Sequence, residues 1–456
     1  MIVYKFSEPR ARSLIGFPIR SPIGLPISSA VDLEPRRRTA PSGSERQQVN
    51  RLVRYAPFLL ALSVLARLAW AFATPNGMNL VDLHVYVDGS AALLKDDLYN
   101  FTYSVKTPDF PLPFTYPPFA ALVFFPLHYL PFTVVGVAWQ LATMAAMFLL
   151  IKLSLGLMLG DDVAGASRWT RIAMAWTALA LWTEPVRTTL DYGQVNVFLA
   201  LGAVVAIRST RWWVAGGLIG FVAGIKLTPA ITGLYFLATK RWKAAIFSAV
   251  AFAATVALSY LVLGHQAGTY FTTLLGDADR IGPVGSVWNQ SLRGAMSRIA
   301  GHDIESGPLW MGGVLVVSAL AVAAWRSLRR DDRLGILLVV QLLGLLISPI
   351  SWSHHWVWVM PLLVWLVHGP DRDAVFTRIV AGYWLVTSVI GIPWILSFFQ
   401  ESIWLVSRPG ILAWLGTVDV LGALLVYILA IYLRRRRVNL ESADSRSREP
   451  DPRPST

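Results

Sequence analysis

The segment NLVDLHVYVDG, which begins at Asn79, follows the first long apolar run of the chain and sets Asp82, His84 and Asp88 directly after it. On a helix Asp82 and Asp88 would lie on different faces, so they need not act as a carboxylate pair. One positioned carboxylate still suffices as a general base for a hydroxyl. The alternative for Asp82 is a solvated loop aspartate or a helix cap. Five further stretches put polar groups beside apolar runs. TYPPF carries Tyr116 before a proline-started helix; the tyrosine is either an interfacial side chain or part of a ligand site. DYGQVN places Gln194 and Asn196 at the head of a run, where amides bind hydroxyls, cap the helix or join neighbouring helices.

GIKLTP sets Lys226 within an apolar stretch. An ionisable group at membrane depth is costly and points to function, here a lipid phosphate; the other reading is a lysine snorkelling to the interface. WNQSLRG supplies Asn289, Gln290 and Arg293, with Arg293 suited to a phosphate and the whole also readable as an ordinary polar loop. SPISWSHHW ends in His354 and His355. Adjacent residues point about 100° apart on a helix, which suits a single metal ion poorly. One histidine donating to a phosphate or leaving group fits better, and Trp352, Trp356 and Trp358 read as an aromatic interface belt.

The elements that must position these groups are membrane helices. The chain has 456 residues, 55% hydrophobic and only 15% charged, with a mean hydropathy of +0.53. The apolar runs are about 15–24 residues long, which suits helices, and the alternation of barrel strands is absent. The net charge of +13 raises nucleic-acid binding. The basic residues cluster at the ends of apolar runs and in the tails, as the positive-inside rule requires, so no nucleic-acid partner is expected. The chain has no cysteine, hence no disulfide framework or thiolate chemistry. No cleaved signal is read at the N-terminus.

Residues 1–54 read as a disordered basic cytoplasmic tail, 55–433 as the transmembrane domain and 434–456 as a second disordered cytoplasmic tail opening on Arg434–Arg437. With both ends inside, the crossings are even in number. Runs at 55–74, 116–151, 172–190, 194–207, 212–239, 244–263, 307–325, 334–350, 354–368, 378–398 and 410–433 give about 10–12 crossings. The 212–239 run is basic at both ends, so it turns round at GIKLTP as two short helices. Every polar motif then falls at the outer face, where nucleotide donors are not expected, and neither a Walker A motif nor a Rossmann glycine pattern is present.

Together DLHVYVDGSAALLKDDLY, TYPPFAALVFFPL, GQVNVFLALG, GIKLTPAI, WNQSLRG and SPISWSHHWVWVMP, in this order over about 55–433, resemble glycosyltransferase family 87, the actinobacterial polyprenyl-phosphate-mannose-dependent mannosyltransferases. The resemblance implies an all-α polytopic bundle of the GT-C type. It implies a catalytic aspartate in the first outer loop, here Asp82, and a histidine of SWSHH at the phosphate, His355 slightly before His354. It also implies a lipid-linked mannose donor, and an α-1,2 linkage on a phosphatidylinositol mannoside or lipoglycan acceptor in the plasma membrane.

In that chemistry Asp82 takes the acceptor proton in a single inverting displacement, and nearby cations stabilise the departing phosphate. No cofactor is called for, and no metal is strictly required. Rival readings are transfer of another lipid-linked sugar such as a pentose, a lipid or glycan transporter, and a scaffold for another transferase. Transporters carry internal repeats and midplane helix breaks, and neither a repeat nor mid-depth clustering of the motifs is evident.

Overall fold

A computed structural model describes residues 43–74, 79–95, 98–400, 402–403, 405–406 and 410–447, without the side chains of 43–52, 440–441 and 443–447. Everything below concerns the unit Val49–Thr456. The chain is an all-α polytopic membrane protein, with one antiparallel ribbon pairing Thr102–Tyr103 and Leu112–Pro113. Among the described residues, Val53–Ala73, Phe132–Leu159, Trp242–Leu263 and Pro308–Ser327 are each long and apolar enough to cross a bilayer. A fifth candidate is the pair Glu184–Tyr192 and Asn196–Arg208, bent by 117° at its break. Other expected crossings fall on shorter apolar helices, among them Trp212–Ile225, Arg333–Ile347 and Val375–Ile390, and on Val418–Ser447.

Helix boundaries depart from the sequence reading at both tails. The first helix begins at Gly43 and the last runs to Ser447, past the basic run. Extending an existing helix adds one hydrogen bond per residue and needs no new nucleus, so a spanning helix carries on through the helix-favouring Arg and Glu that flank it. The remainder of both expected tails, 1–42 and 448–456, lies outside the described residues.

The 116–151 run folds as a short surface element and one long helix. Pro118–Phe124 and a 3-10 turn, Phe125–Tyr129, precede Phe132–Leu159, because Pro126 and Pro131 lack the N–H that a continuous helix needs. The 212–239 run does turn round. Trp212–Ile225 stops at Lys226, whose backbone is extended, and the chain returns through Thr228–Ile231 and Thr232–Ala238. Trp212–Ile225 packs closely on Trp242–Leu263 through small residues. A Cβ at Gly220 would meet Ala251 Cβ at 2.5 Å, the close approach that membrane helices make at glycine.

The segment read as one run over 172–190 is broken. Ser167–Ala180 ends, and Glu184–Tyr192 starts anew with Pro185 in its first turn, where proline is tolerated. Glu184–Tyr192 then closes on Gly193 with φ +72°; the Gly193 N–H bonds back to Leu190 and Thr189 carbonyls. That turn swings Gln194 and Asn196 toward the helix that carries Asp82.

Candidate active site

The helix Val81–Ala91 holds Asp82 in its first turn and starts from Leu80, whose φ of +48° is unusual for a non-glycine residue. The strained start is fixed from outside. Leu80 N–H donates to the Asp191 carbonyl at 2.7 Å, and the Asp191 carboxylate is ion-paired with Arg67 of the first helix. Arg67 is fully buried. A lone arginine inside the first apolar run was the signal for this anchor, and the sequence reading passed over it. On the same helix His84 pairs with Asp88 at 2.9 Å and stacks between Tyr103 and Phe132, so Asp88 is engaged away from Asp82.

Asp82 is half-buried on the wall of a cavity of about 580 Å³. Gln194, Lys226, Tyr116, His354 and His355 line the same cavity. Gln194 Oε1 accepts from the Tyr86 hydroxyl at 3.0 Å, from Lys226 Nζ at 3.4 Å and from Asn196 Nδ2 at 3.4 Å. With its oxygen surrounded by donors, the Gln194 amide nitrogen is left for Asp82, with which it is hydrogen-bonded. Tyr116 and Tyr86 hydroxyls lie 2.9 Å apart, so Tyr116 donates to Tyr86 and Tyr86 to Gln194. Burial pushes the Asp82 carboxyl up to about 6, against the Gln194 hydrogen bond and the Lys226 charge, which both lower it.

Lys226 Nζ donates to Asn196 Oδ1 at 3.0 Å, faces His355 Nε2 at 3.0 Å and lies 5.4 Å from the Tyr116 ring centre. An ammonium has only donors, so His355 Nε2 accepts and the His355 proton sits on Nδ1. Nδ1 is buried without a partner, as is Nε2 of His354. The His354 carbonyl is held by Asn196 Nδ2 at 2.9 Å and by Thr189 at 3.3 Å. Asn196 thus ties the lysine to the histidine turn.

WNQSLRG has a different place. Asn289 and Gln290 are fully buried and spend their amides on backbone. Asn289 Nδ2 donates to Val284 and Pro349 carbonyls, and its Oδ1 accepts from Ser291 and Ser351 N–H groups. Gln290 donates to Val287 and Gly416 carbonyls and accepts from Asp419 N–H. With Ser353 N–H on the Trp288 carbonyl at 2.9 Å, these bonds lace residues 286–291 to the strand-like run leading into His354 and His355. Arg293 does not line the cavity. It makes a two-bond pair with Asp303, at 3.1 and 2.7 Å. Burial would raise Asp303, yet the Arg293 bonds win and hold it below the usual carboxylate range.

The aromatic residues divide likewise. Trp352 stands on the cavity wall beside Trp288, whereas Trp356 is fully buried 5.8 Å from Trp384. Tyr99, Tyr192, Tyr270 and Arg280 also line the cavity, and none was singled out from sequence. Among the described residues no three His, Asp or Glu side chains gather as a metal-ligand set. The site therefore combines a raised carboxylate, an ammonium braced by two amides, and an imidazole with a free N–H, on one aromatic-lined cavity.

The family model for glycosyltransferase family 87 matches residues 114–349. A protein of Mycolicibacterium smegmatis named polyprenol-phosphate-mannose-dependent alpha-(1-2)-phosphatidylinositol pentamannoside mannosyltransferase is 54% identical over 376 residues, 82% of this chain and 90% of the relative. A Mycobacterium tuberculosis protein of the same name is 51% identical over 418 residues, 91% of this chain and 94% of the relative. A second M. tuberculosis protein, named as the corresponding phosphatidylinositol mannoside mannosyltransferase, is 33% identical over 67% of this chain and 74% of its own length. No solved structure matches. The site faces one cavity of an all-α membrane bundle, and the chain belongs to glycosyltransferase family 87.

Proposed function

We propose that this chain moves mannose from a polyprenyl-phosphate-mannose donor to a mannosylated phosphatidylinositol, forming an α-1,2 linkage at the extracytoplasmic face of the plasma membrane. The observation that carries this reading is the meeting of Asp82, Gln194 and Lys226 on one cavity wall. The names of the relatives supply the donor and acceptor classes.

Asp82 takes the proton from an acceptor hydroxyl as its oxygen attacks the anomeric carbon of the donor. The bond from that carbon to the phosphate oxygen breaks, and the polyprenyl phosphate leaves with the electron pair. One displacement inverts a β-linked donor to an α-linked product and needs no covalent enzyme intermediate. Lys226 and the His355 Nδ1–H supply charge and a hydrogen bond to the departing phosphate in a site shielded from water. Gln194 holds Asp82 toward the hydroxyl, and Asn196 fixes Lys226 and the histidine turn. Tyr116 orients the Tyr86–Gln194 chain and presents its ring to the sugar.

Donor competition tests the sugar. Membranes containing the chain are given labelled polyprenyl-phosphate-mannose with an excess of unlabelled polyprenyl-phosphate-pentose. Label transfer that persists supports mannose; transfer of the pentose instead, with label suppressed, assigns a different lipid-linked sugar.

A further inference from the structure

The mechanism uses one cation for the donor phosphate, yet the cavity wall carries a second. Arg280 lies in the loop after Tyr270–Leu274 and is half-buried. One Nη donates to the Tyr99 carbonyl, the guanidinium lies 5.9 Å from the Tyr99 ring centre, and Nε is buried without a partner. Among the described residues no carboxylate is within ion-pair distance of it. The nearby Asp277 gives its Oδ1 to the Arg280 backbone N–H at 3.3 Å.

A row of aromatic rings connects the two cations. Lys226 lies 5.4 Å from the Tyr116 ring, Tyr116 5.8 Å from Phe114, Phe114 6.2 Å from Tyr99, and Arg280 sits over Tyr99. Members of this row line the same cavity as Asp82. A guanidinium with unspent N–H groups on a partly dry wall favours an oxygen anion, and its planar fork matches a phosphate.

We propose that Arg280 is a second phosphate site, which binds the phosphodiester of the lipid acceptor while Lys226 faces that of the donor. The assignment of the phosphate to the acceptor rests on the mannosyl-transfer reading. In that geometry the acceptor glycan lies along the Tyr99–Phe114–Tyr116 row, with its terminal hydroxyl at Asp82 and its phosphate at Arg280. The site then measures the acceptor from both ends, so acceptor choice depends on the number of sugars between hydroxyl and phosphate.

The experiment is direct binding to the full-length chain in detergent, with wild type, Arg280→Gln and Arg280→Lys. Three probes are used: a phosphatidylinositol mannoside, the same inositol mannoside glycan without its phosphate, and a polyprenyl phosphate. Loss of a charged hydrogen-bond donor weakens phosphatidylinositol mannoside binding about 10–100-fold in Arg280→Gln. The other two probes change less than about twofold, and Arg280→Lys is intermediate because it keeps the charge and loses the fork. If the glutamine variant does not fold, the lysine variant still gives a loss confined to the phosphate-bearing acceptor.

Unchanged acceptor binding, equal loss of all three probes, or selective loss of polyprenyl phosphate overturns the proposal, the last by assigning Arg280 to the donor. Binding is read without turnover. A wild type that binds these probes but moves no mannose therefore overturns the transfer reading and leaves the Arg280 result to stand or fall by itself.

Discussion

Lys226 Nζ and His355 Nε2 are 3.0 Å apart, and that contact fixes the chemistry of both. The lysine can only donate, so the imidazole is neutral there and its one proton is on the buried, unpartnered Nδ1. The pair presents a charge and a hydrogen-bond donor to one point in the cavity. Replacing Lys226 by Met removes the charge and is expected to lower kcat by about 10²–10³-fold, the scale seen when a transition-state donor is lost. His355→Gln keeps an N–H and retains more activity than His355→Ala. Steady-state kinetics on matched amounts of folded protein decide this. Equal activity of Lys226→Met and wild type rules out the phosphate role.

The raised Asp82 carboxyl gives a pH dependence with a definite sign. A base must be ionised to act, so kcat/KM falls about tenfold per unit as pH drops below about 6 and is level above it. Because burial opposes the charge, the folded state binds the Asp82 proton more tightly than the unfolded chain does. Ionisation of this group therefore lowers stability as pH rises from about 4 to about 6. Asp82→Asn is expected to melt no lower than wild type at neutral pH. A thermal-shift series checks it, and a clearly lower melting temperature would show that the carboxylate is a structural group.

Gln194 is a positioning residue. Its hydrogen bond lowers the Asp82 carboxyl, so Gln194→Leu moves the acid limb of kcat/KM to higher pH as well as reducing its plateau. A variant that lowers the plateau and leaves the limb in place would mean that Gln194 touches only substrate.

Gly193 sets where Gln194 goes. Its φ is +72°, and an added Cβ would stand 2.6 Å from Leu83 Cβ, on the helix of Asp82. Gly193→Ala is expected to cost about 1–2 kcal/mol from the left-handed backbone alone. Because the clash pushes the Asp82 helix away from Gln194, kcat falls further than the stability loss explains. Unaltered kcat in the folded variant would contradict this.

Arg293 and Asp303 are expected to behave as a structural pair. Arg293→Leu leaves the Asp303 carboxylate without its main partner and costs about 1–3 kcal/mol of stability, with kcat/KM per folded molecule unchanged. A normal melting temperature with a raised KM would return Arg293 to the binding site.

The legibility of this molecule in its sequence follows from what each polar residue is paired with. Asp82, Gln194, Lys226 and the two histidines stand in or beside apolar runs, where an unpaired polar group is costly, and they come together on one cavity. The membrane class was legible for the same reason. Asn289, Gln290 and Arg293 carry the same residue types, but their partners are the backbone of 284–291 and 349–351, Gly416, Asp419 and the Asp303 side chain. Spacing cannot distinguish an amide used on backbone from one used on ligand. Arg280 sits in LLGDADRIGP, where two aspartates make it look like a solvated loop cation; only the fold separates it from them and sets it over Tyr99. Nor could sequence show that Arg67 meets Asp191, since nothing local links the first run to the broken helix.

The most direct test of the central claim is mannose transfer in membranes from a strain lacking the chain. Membranes are supplied with labelled polyprenyl-phosphate-mannose and with either wild type or Asp82→Asn at equal protein levels. The account predicts transfer by wild type and a loss of about 10²–10⁴-fold in the folded variant, the contribution of a general base. Near-normal transfer by Asp82→Asn would contradict it.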